Sequence, residues 1–83
     1  MDWLSVKSSK IKAIRYLSEM ELLEVALRNG EIVQHEMVPP SFWTELSLAE
    51  SIGRYYYDNI KDSFPSNRFL NPNYAAIEET EDD

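Results

Sequence analysis

Cysteine is absent from the 83-residue chain, so no disulfide, thiolate nucleophile or zinc-thiolate site can form. Long apolar runs are absent too, and the N-terminus MDWLSVKSSK lacks the basic-then-apolar order of a signal peptide. We therefore expect a cytoplasmic protein that does not enter a membrane. Histidine occurs only at His35, beside apolar residues, which is typical of a hydrogen-bonded histidine in the core or at its rim. Without a catalytic set around it, we expect no enzyme, small-molecule substrate, cofactor or metal.

Positive charge is scarce, since eight Lys and Arg stand against fifteen Asp and Glu, for a formal net charge of -7. Five of those acids lie in the last six residues, so the rest of the chain is only mildly acidic. A chain of this length forms one domain. We assign that domain to residues 1–64, a partly ordered extension to 65–76 and a disordered acidic tail to 77–83.

Apolar segments bounded by turn signals predict three strands. They are residues 10–17, 21–28 and 31–38. An Asn-Gly pair between the last two predicts a hairpin. We prefer a three-residue loop ending in a left-handed Gly30, which places Val25 opposite Val33, because a two-residue loop turns polar side chains inward. A bulge near Lys12 is expected, since the apolar residues around it do not share one parity.

The segment after the strands predicts two helices. The first begins at Pro40, because proline is favoured in the first turn of a helix. The second carries Ser47 and Glu50 at capping-box spacing, and we expect it to run from about Leu48 to Asp62. The predicted fold class is α+β, a three-stranded antiparallel sheet followed by two helices packed on one face.

Three consecutive tyrosines lie in the second predicted helix. Successive helical residues are about 100° apart, so the three rings cannot share one face. We predict that Tyr56 packs in the core stripe, with Gly53 letting a neighbour approach closely, and that Tyr57 is half buried. Tyr55 lies away from the stripe, and we expect it to be exposed.

Candidate partner-binding residues are the aromatics that the core does not need. Phe42 and Trp43 are adjacent on a short helix, so we expect that they cannot both enter the core and that one anchors a partner. With Tyr55 they form the candidate protein-binding set. The residues favour a small non-enzymatic interaction module that binds a protein partner.

The segments VKSSKIKAIRY, LEVAL, NG, VP and AESIGRYYYDNI resemble, in order and spacing, the KTSC family, named for a domain at the C-terminus of some lysyl-tRNA synthetases. The resemblance covers residues 6–64 and implies a small bacterial or phage protein, here interpreted as a regulator. RNA binding has been suggested for that family, whose function is unknown. Its hallmark is a Tyr-x-Tyr pair in the third strand, where this chain has Val33 and His35. Valine cannot stack on a base, and the predicted hairpin register favours a core role for these positions.

RNA or tRNA binding is therefore the alternative function, carried by a basic cluster with Ser8 and Ser9 beside it. Its candidate residues are Lys7, Lys10, Lys12, Arg15 and Arg54. The competing interpretation is a charged edge strand that resists aggregation. We favour the edge strand, because the acidic chain lacks the usual basic footprint of nucleic-acid-binding proteins.

Overall fold

The computed structural model describes residues 3–70, which form a five-stranded antiparallel sheet in the order β1-β2-β3-β4-β5. The strands are β1 (Leu4–Ser5), β2 (Ile11–Leu17), β3 (Leu22–Leu27), β4 (Glu31–His35) and β5 (Ser66–Leu70). The helices α1 (Pro40–Leu48) and α2 (Ile52–Asn59) lie between β4 and β5 in the chain and pack against one face of the sheet. The predicted α+β class is confirmed. The acidic tail and residues 71–76 lie outside the described residues.

The prediction of three strands is wrong, because one further strand is added at each edge. β1 pairs Leu4 with Ile14, and β5 pairs Phe69 with Ile32. The sequence does not indicate either strand: β1 is only two residues long, and β5 follows a proline and has no apolar alternation. Pairing with β2 and β4 forms these strands, and for β5 the partner strand lies more than thirty residues away. Local propensity does not report such pairing.

The hairpin between β3 and β4 has the predicted register. Val25 lies opposite Val33, and Gly30 has φ 100°, the left-handed conformation that favours glycine. The Gly30 amide closes the turn by donating to the Leu27 carbonyl at 3.1 Å. The bulge is also confirmed, since the β2–β3 register shifts between Ile11 and Ala13.

Helix α1 begins at Pro40 as predicted, but the start of α2 differs from the prediction. Ser51 caps α2, its hydroxyl accepting from the Arg54 amide at 3.2 Å, so the helix begins four residues later than Leu48. Ser47 instead donates its hydroxyl proton to the Thr44 carbonyl at 3.1 Å. Ser47 and Ser51 are both possible helix caps. Because the backbone of Ala49 is extended and ends α1, the cap of α2 is Ser51.

The core lies between the sheet and the helices, and both aromatic residues of α1 contribute to it. Trp43 stacks on Tyr16 with ring centroids 5.7 Å apart and planes at 9°. Phe42 packs edge-on against Phe64 at 5.1 Å. The expectation that only one of Phe42 and Trp43 can reach the core is wrong, because the two rings contact different neighbours. Neither helix of the described region has the length and apolarity needed to cross a membrane.

Candidate functional site

A groove of about 630 Å³ lies between the β1–β2 loop and the start of α2. We call it the basic groove. Its polar lining comprises Lys7, Ser8, Ser9 and Lys10 from the loop and Glu50, Ser51, Arg54 and Tyr57 from α2 and the segment before it. The structure thus brings together three of the five basic residues proposed from sequence, and the hydroxyls of three serines.

The charge of the basic groove is positive, with three cations against the carboxylate of Glu50. Arg54 also has an ion pair with Asp58, but its atoms are 3.8 Å apart and the two side chains are 82% and 66% exposed. Exposed pairs of this kind contribute little, so the Arg54 guanidinium can exchange this partner for another anion. The Lys10 ammonium lies 5.9 Å from the centre of the Tyr57 ring, within reach of a cation-π interaction.

The loop that lines the groove is held from behind by Arg28. Its Nε donates to the Ser8 carbonyl at 2.7 Å and its Nη2 to the Val6 carbonyl at 2.9 Å. Its backbone amide donates to the Lys10 carbonyl at 2.9 Å. These three bonds hold the backbone of the loop that carries Lys7 and Lys10. Sequence reasoning missed Arg28, because a charged residue beside an Asn-Gly turn is unremarkable in the local pattern.

Ser8 closes the loop by hydrogen bonds within it and lies close to Gly53 of α2. Its Oγ accepts from the amides of Lys10 at 3.2 Å and Ile11 at 3.3 Å. A Cβ added at Gly53 would lie 3.1 Å from this Oγ, which is closer than most such contacts. The prediction that Gly53 admits a close neighbour is therefore confirmed, and that neighbour is Ser8.

Lys12 and Arg15 do not line the basic groove. Arg15 lies on the sheet face opposite the helices, where its Nε is 2.6 Å from Oε1 of Glu24 and its guanidinium is 4.6 Å from the Trp3 ring. Glu24 is 5% exposed and also accepts from Gln34 at 2.6 Å. The basic cluster divides because the β2 bulge and strand alternation turn its members in different directions.

The three tyrosines occupy three different environments. Tyr56 is 2% exposed, as predicted, whereas Tyr57 is 36% exposed. Tyr55 packs against the core instead of projecting freely, which corrects the expectation for it. Burial, together with the charge of Glu45 on α1, raises the pKa of Tyr55. Residue spacing determines the angular positions of the three side chains around α2, but it does not determine which side of α2 packs against α1. In the structure α1 packs on the side that carries Tyr55.

The hallmark positions Val33 and His35 are 3% and 1% exposed and face the core. The Nε2 of His35 lies 2.7 Å from the Tyr56 hydroxyl, and burial lowers the pKa of His35. In this chain these positions therefore do not form a surface for stacking bases. Across residues 3–70, no group of three His, Asp or Glu side chains is arranged to hold a metal ion.

Comparisons with known proteins agree with this architecture. The KTSC domain model matches residues 7–64. An uncharacterized protein from Stutzerimonas stutzeri (strain A1501) is 32% identical over 56 residues, which cover 68% of this chain and 79% of that protein. A crystal structure of a KTSC domain protein from Yersinia pestis superposes with a TM-score of 0.77 at 28% identity, covering 82% of this chain and 96% of that one.

Proposed function

The chain belongs to the KTSC domain family, and we propose that this member binds RNA through its phosphate groups at the basic groove. The observation that carries the proposal is the convergence of Lys7, Lys10 and Arg54 on one cavity. Cationic side chains and hydroxyls are the groups that proteins use against a phosphate backbone. The proposal is for binding without catalysis, because the one histidine is buried against Tyr56.

The positions of the aromatic residues favour RNA over the protein partner that was expected from them. Phe42, Trp43 and Tyr55 all pack against the core, so their rings offer a partner less surface than the sequence suggested. Their role as partner anchors stays a prediction.

The net charge of -7 limits how strongly the groove can bind. Negative charge elsewhere on the chain opposes a polyanion over long distances, so the affinity depends on the local cluster and on ionic strength. If the three groove cations each contact one phosphate of a single strand, log affinity should fall against log salt with a slope of about -2. A much steeper slope would require contacts beyond the groove.

A matched pair of charge reversals tests the proposal. Lys10→Glu changes the groove, whereas Lys61→Glu makes the same change in net charge at a lysine outside it, paired with Asp62 at 3.5 Å. We would measure fluorescence anisotropy with a labelled single-stranded RNA of about 10 nucleotides, the scale that one small domain covers, at about 50 and about 200 mM salt. Lys10→Glu should weaken binding and make the salt slope shallower by about 0.7, the value of one phosphate contact to a single strand, and Lys61→Glu should do neither.

Two results would contradict the proposal. Equal losses in the two variants would mean that binding follows net charge and does not depend on the groove. If the unaltered protein binds no RNA at the lower salt concentration, the proposed function is refuted.

The β5 edge supports protein binding as a second candidate function. All five β5 residues are exposed, including Phe69 at 40% and Leu70 at 71%, and the strand ends the described sheet. An exposed edge of this kind can pair with an extended segment of a partner protein. Leu70→Asp should abolish capture of a discrete protein in a pull-down, whereas Leu48→Asp, at a leucine that is 79% exposed on α1, should not. Capture that resists Leu70→Asp would exclude this edge.

A further inference from the structure

We propose that the basic groove holds one unpaired nucleotide, with its phosphate near Lys10 and Arg54 and its base stacked on the ring of Tyr57. This inference rests on the proposed function and adds a preference for single-stranded over double-stranded RNA. It comes from the juxtaposition of two cations and one exposed aromatic ring along the same cavity.

Tyr57 has the position that a stacking ring requires. It lines the groove and is 36% exposed, while Tyr56 packs against it with ring centroids 5.1 Å apart and planes at 76°. Since Tyr56 is itself 2% exposed, the ring of Tyr57 is supported by the core from one side. A supported ring loses little conformational entropy when a base stacks on it.

The contact between Lys10 and Tyr57 joins the phosphate-binding part of the site to the base-stacking part. The Lys10 ammonium lies 5.9 Å from the ring centre, so the ring already attracts a cation. A base that takes this place on the ring releases the ammonium toward the phosphate of the same nucleotide. Base and phosphate are then bound by neighbouring groups on one rim of the groove.

The size of the groove fits this ligand. Its volume of about 630 Å³ falls within the range of about 300–1,000 Å³ that is usual for small-molecule pockets, the size class of one nucleotide. Stacking also requires an exposed base face, and the bases of a duplex stack on each other. A duplex could offer its phosphates to the lysines but no base to Tyr57.

The test compares Tyr57→Leu, which removes the aromatic face, with Tyr57→Phe, which keeps it. The probes are a single-stranded oligouridine, an RNA duplex of equal phosphate count, and inorganic polyphosphate, which has phosphates but no bases. For the oligouridine, Tyr57→Leu should lower affinity about 5- to 150-fold, the range for loss of one base-aromatic stack, whereas Tyr57→Phe should stay near the unaltered protein. Binding of polyphosphate should be the same in both variants.

The unaltered protein supplies a readout that needs no variant, since it should prefer the oligouridine to the duplex. Thermal unfolding of Tyr57→Leu verifies that the domain is still folded. Equal binding of the single strand and the duplex would overturn the inference, as would equal affinity of the two Tyr57 variants for the oligouridine. In either case a loss on Lys10→Glu would leave the proposed function in place, whereas failure of the unaltered protein to bind any RNA would remove both.

Discussion

Replacing Trp43 with alanine should destabilise the domain, although the sequence suggests this residue as a surface anchor. The indole stacks on Tyr16 at 5.7 Å and covers the core beneath α1. Tyr16 itself is 2% exposed and donates its hydroxyl proton to the Val38 carbonyl at 2.6 Å. Loss of the indole therefore exposes a ring whose position fixes the segment that leads into α1.

The magnitude follows from partial burial. A fully buried tryptophan costs about 3–5 kcal/mol on truncation to alanine, and Trp43 is only partly buried, so about half of that applies. The lost aromatic pair adds about 0.5–1.5 kcal/mol. We expect a fall of about 2–4 kcal/mol in the free energy of unfolding, a large part of the stability of a small domain.

Urea denaturation followed by circular dichroism measures this change. With a denaturant slope of about 1 kcal/mol/M for a small domain, the midpoint should fall by about 2–4 M. Leu48→Ala is the control on the same helix, because Leu48 is 79% exposed, and its midpoint should hardly move. If Trp43→Ala unfolds at the same urea concentration as the control, the stacked arrangement is refuted and Trp43 becomes a free surface ring.

Three further changes test separate parts of the structure. Burial lowers the pKa of His35 from its usual value of 6.5, so the unfolded chain binds more protons and stability should fall as pH drops below about 6.5. In urea titrations between about pH 7 and about pH 5, His35→Gln should flatten this pH dependence, and an unchanged slope of stability against pH would refute the role of His35. Gly53→Ala places a Cβ 3.1 Å from the Ser8 hydroxyl and should weaken RNA binding while the unfolding free energy stays within about 1 kcal/mol; unaltered affinity would show that the loop adjusts freely. Gly30→Ala forces a side chain into φ 100° and should cost about 1–2 kcal/mol in chemical denaturation, and a smaller loss would mean that the turn rearranges.

Local rules predicted the central hairpin well, because its determinants are adjacent in sequence. The Asn-Gly turn and the apolar alternation on either side specify both the left-handed Gly30 and the pairing of Val25 with Val33. The β5 strand has no such local determinant. Its pairing spans more than thirty residues, as between Val33 and Arg68, and only the path of the two helices brings it beside β4.

The candidate site was predicted in part for the same reason. Lys7 and Lys10 are close in sequence, and their loop was identified as basic before its shape was known. Arg28 lies eighteen residues beyond Lys10, and hydrogen bonds across the sheet edge connect it to the loop. The exposure of Tyr57 depends on which flank of α2 lies under α1, and residue spacing does not specify that choice.

The positions of Val33 and His35 in the core allow two possible determinants of RNA binding to be tested separately: the hallmark positions and the basic groove. If RNA binding depended on an aromatic pair at these positions, this chain would have lost it, because both side chains face the core. If binding depends on the basic groove, Val33 acts on stability alone, through packing, whereas His35 also contacts Tyr56 at 2.7 Å, the ring that supports Tyr57. Val33→Ala should then lower the urea midpoint and leave the RNA affinity of the folded protein unaltered. Loss of RNA affinity in the folded Val33 variant would instead mean that binding does not depend on the basic groove alone.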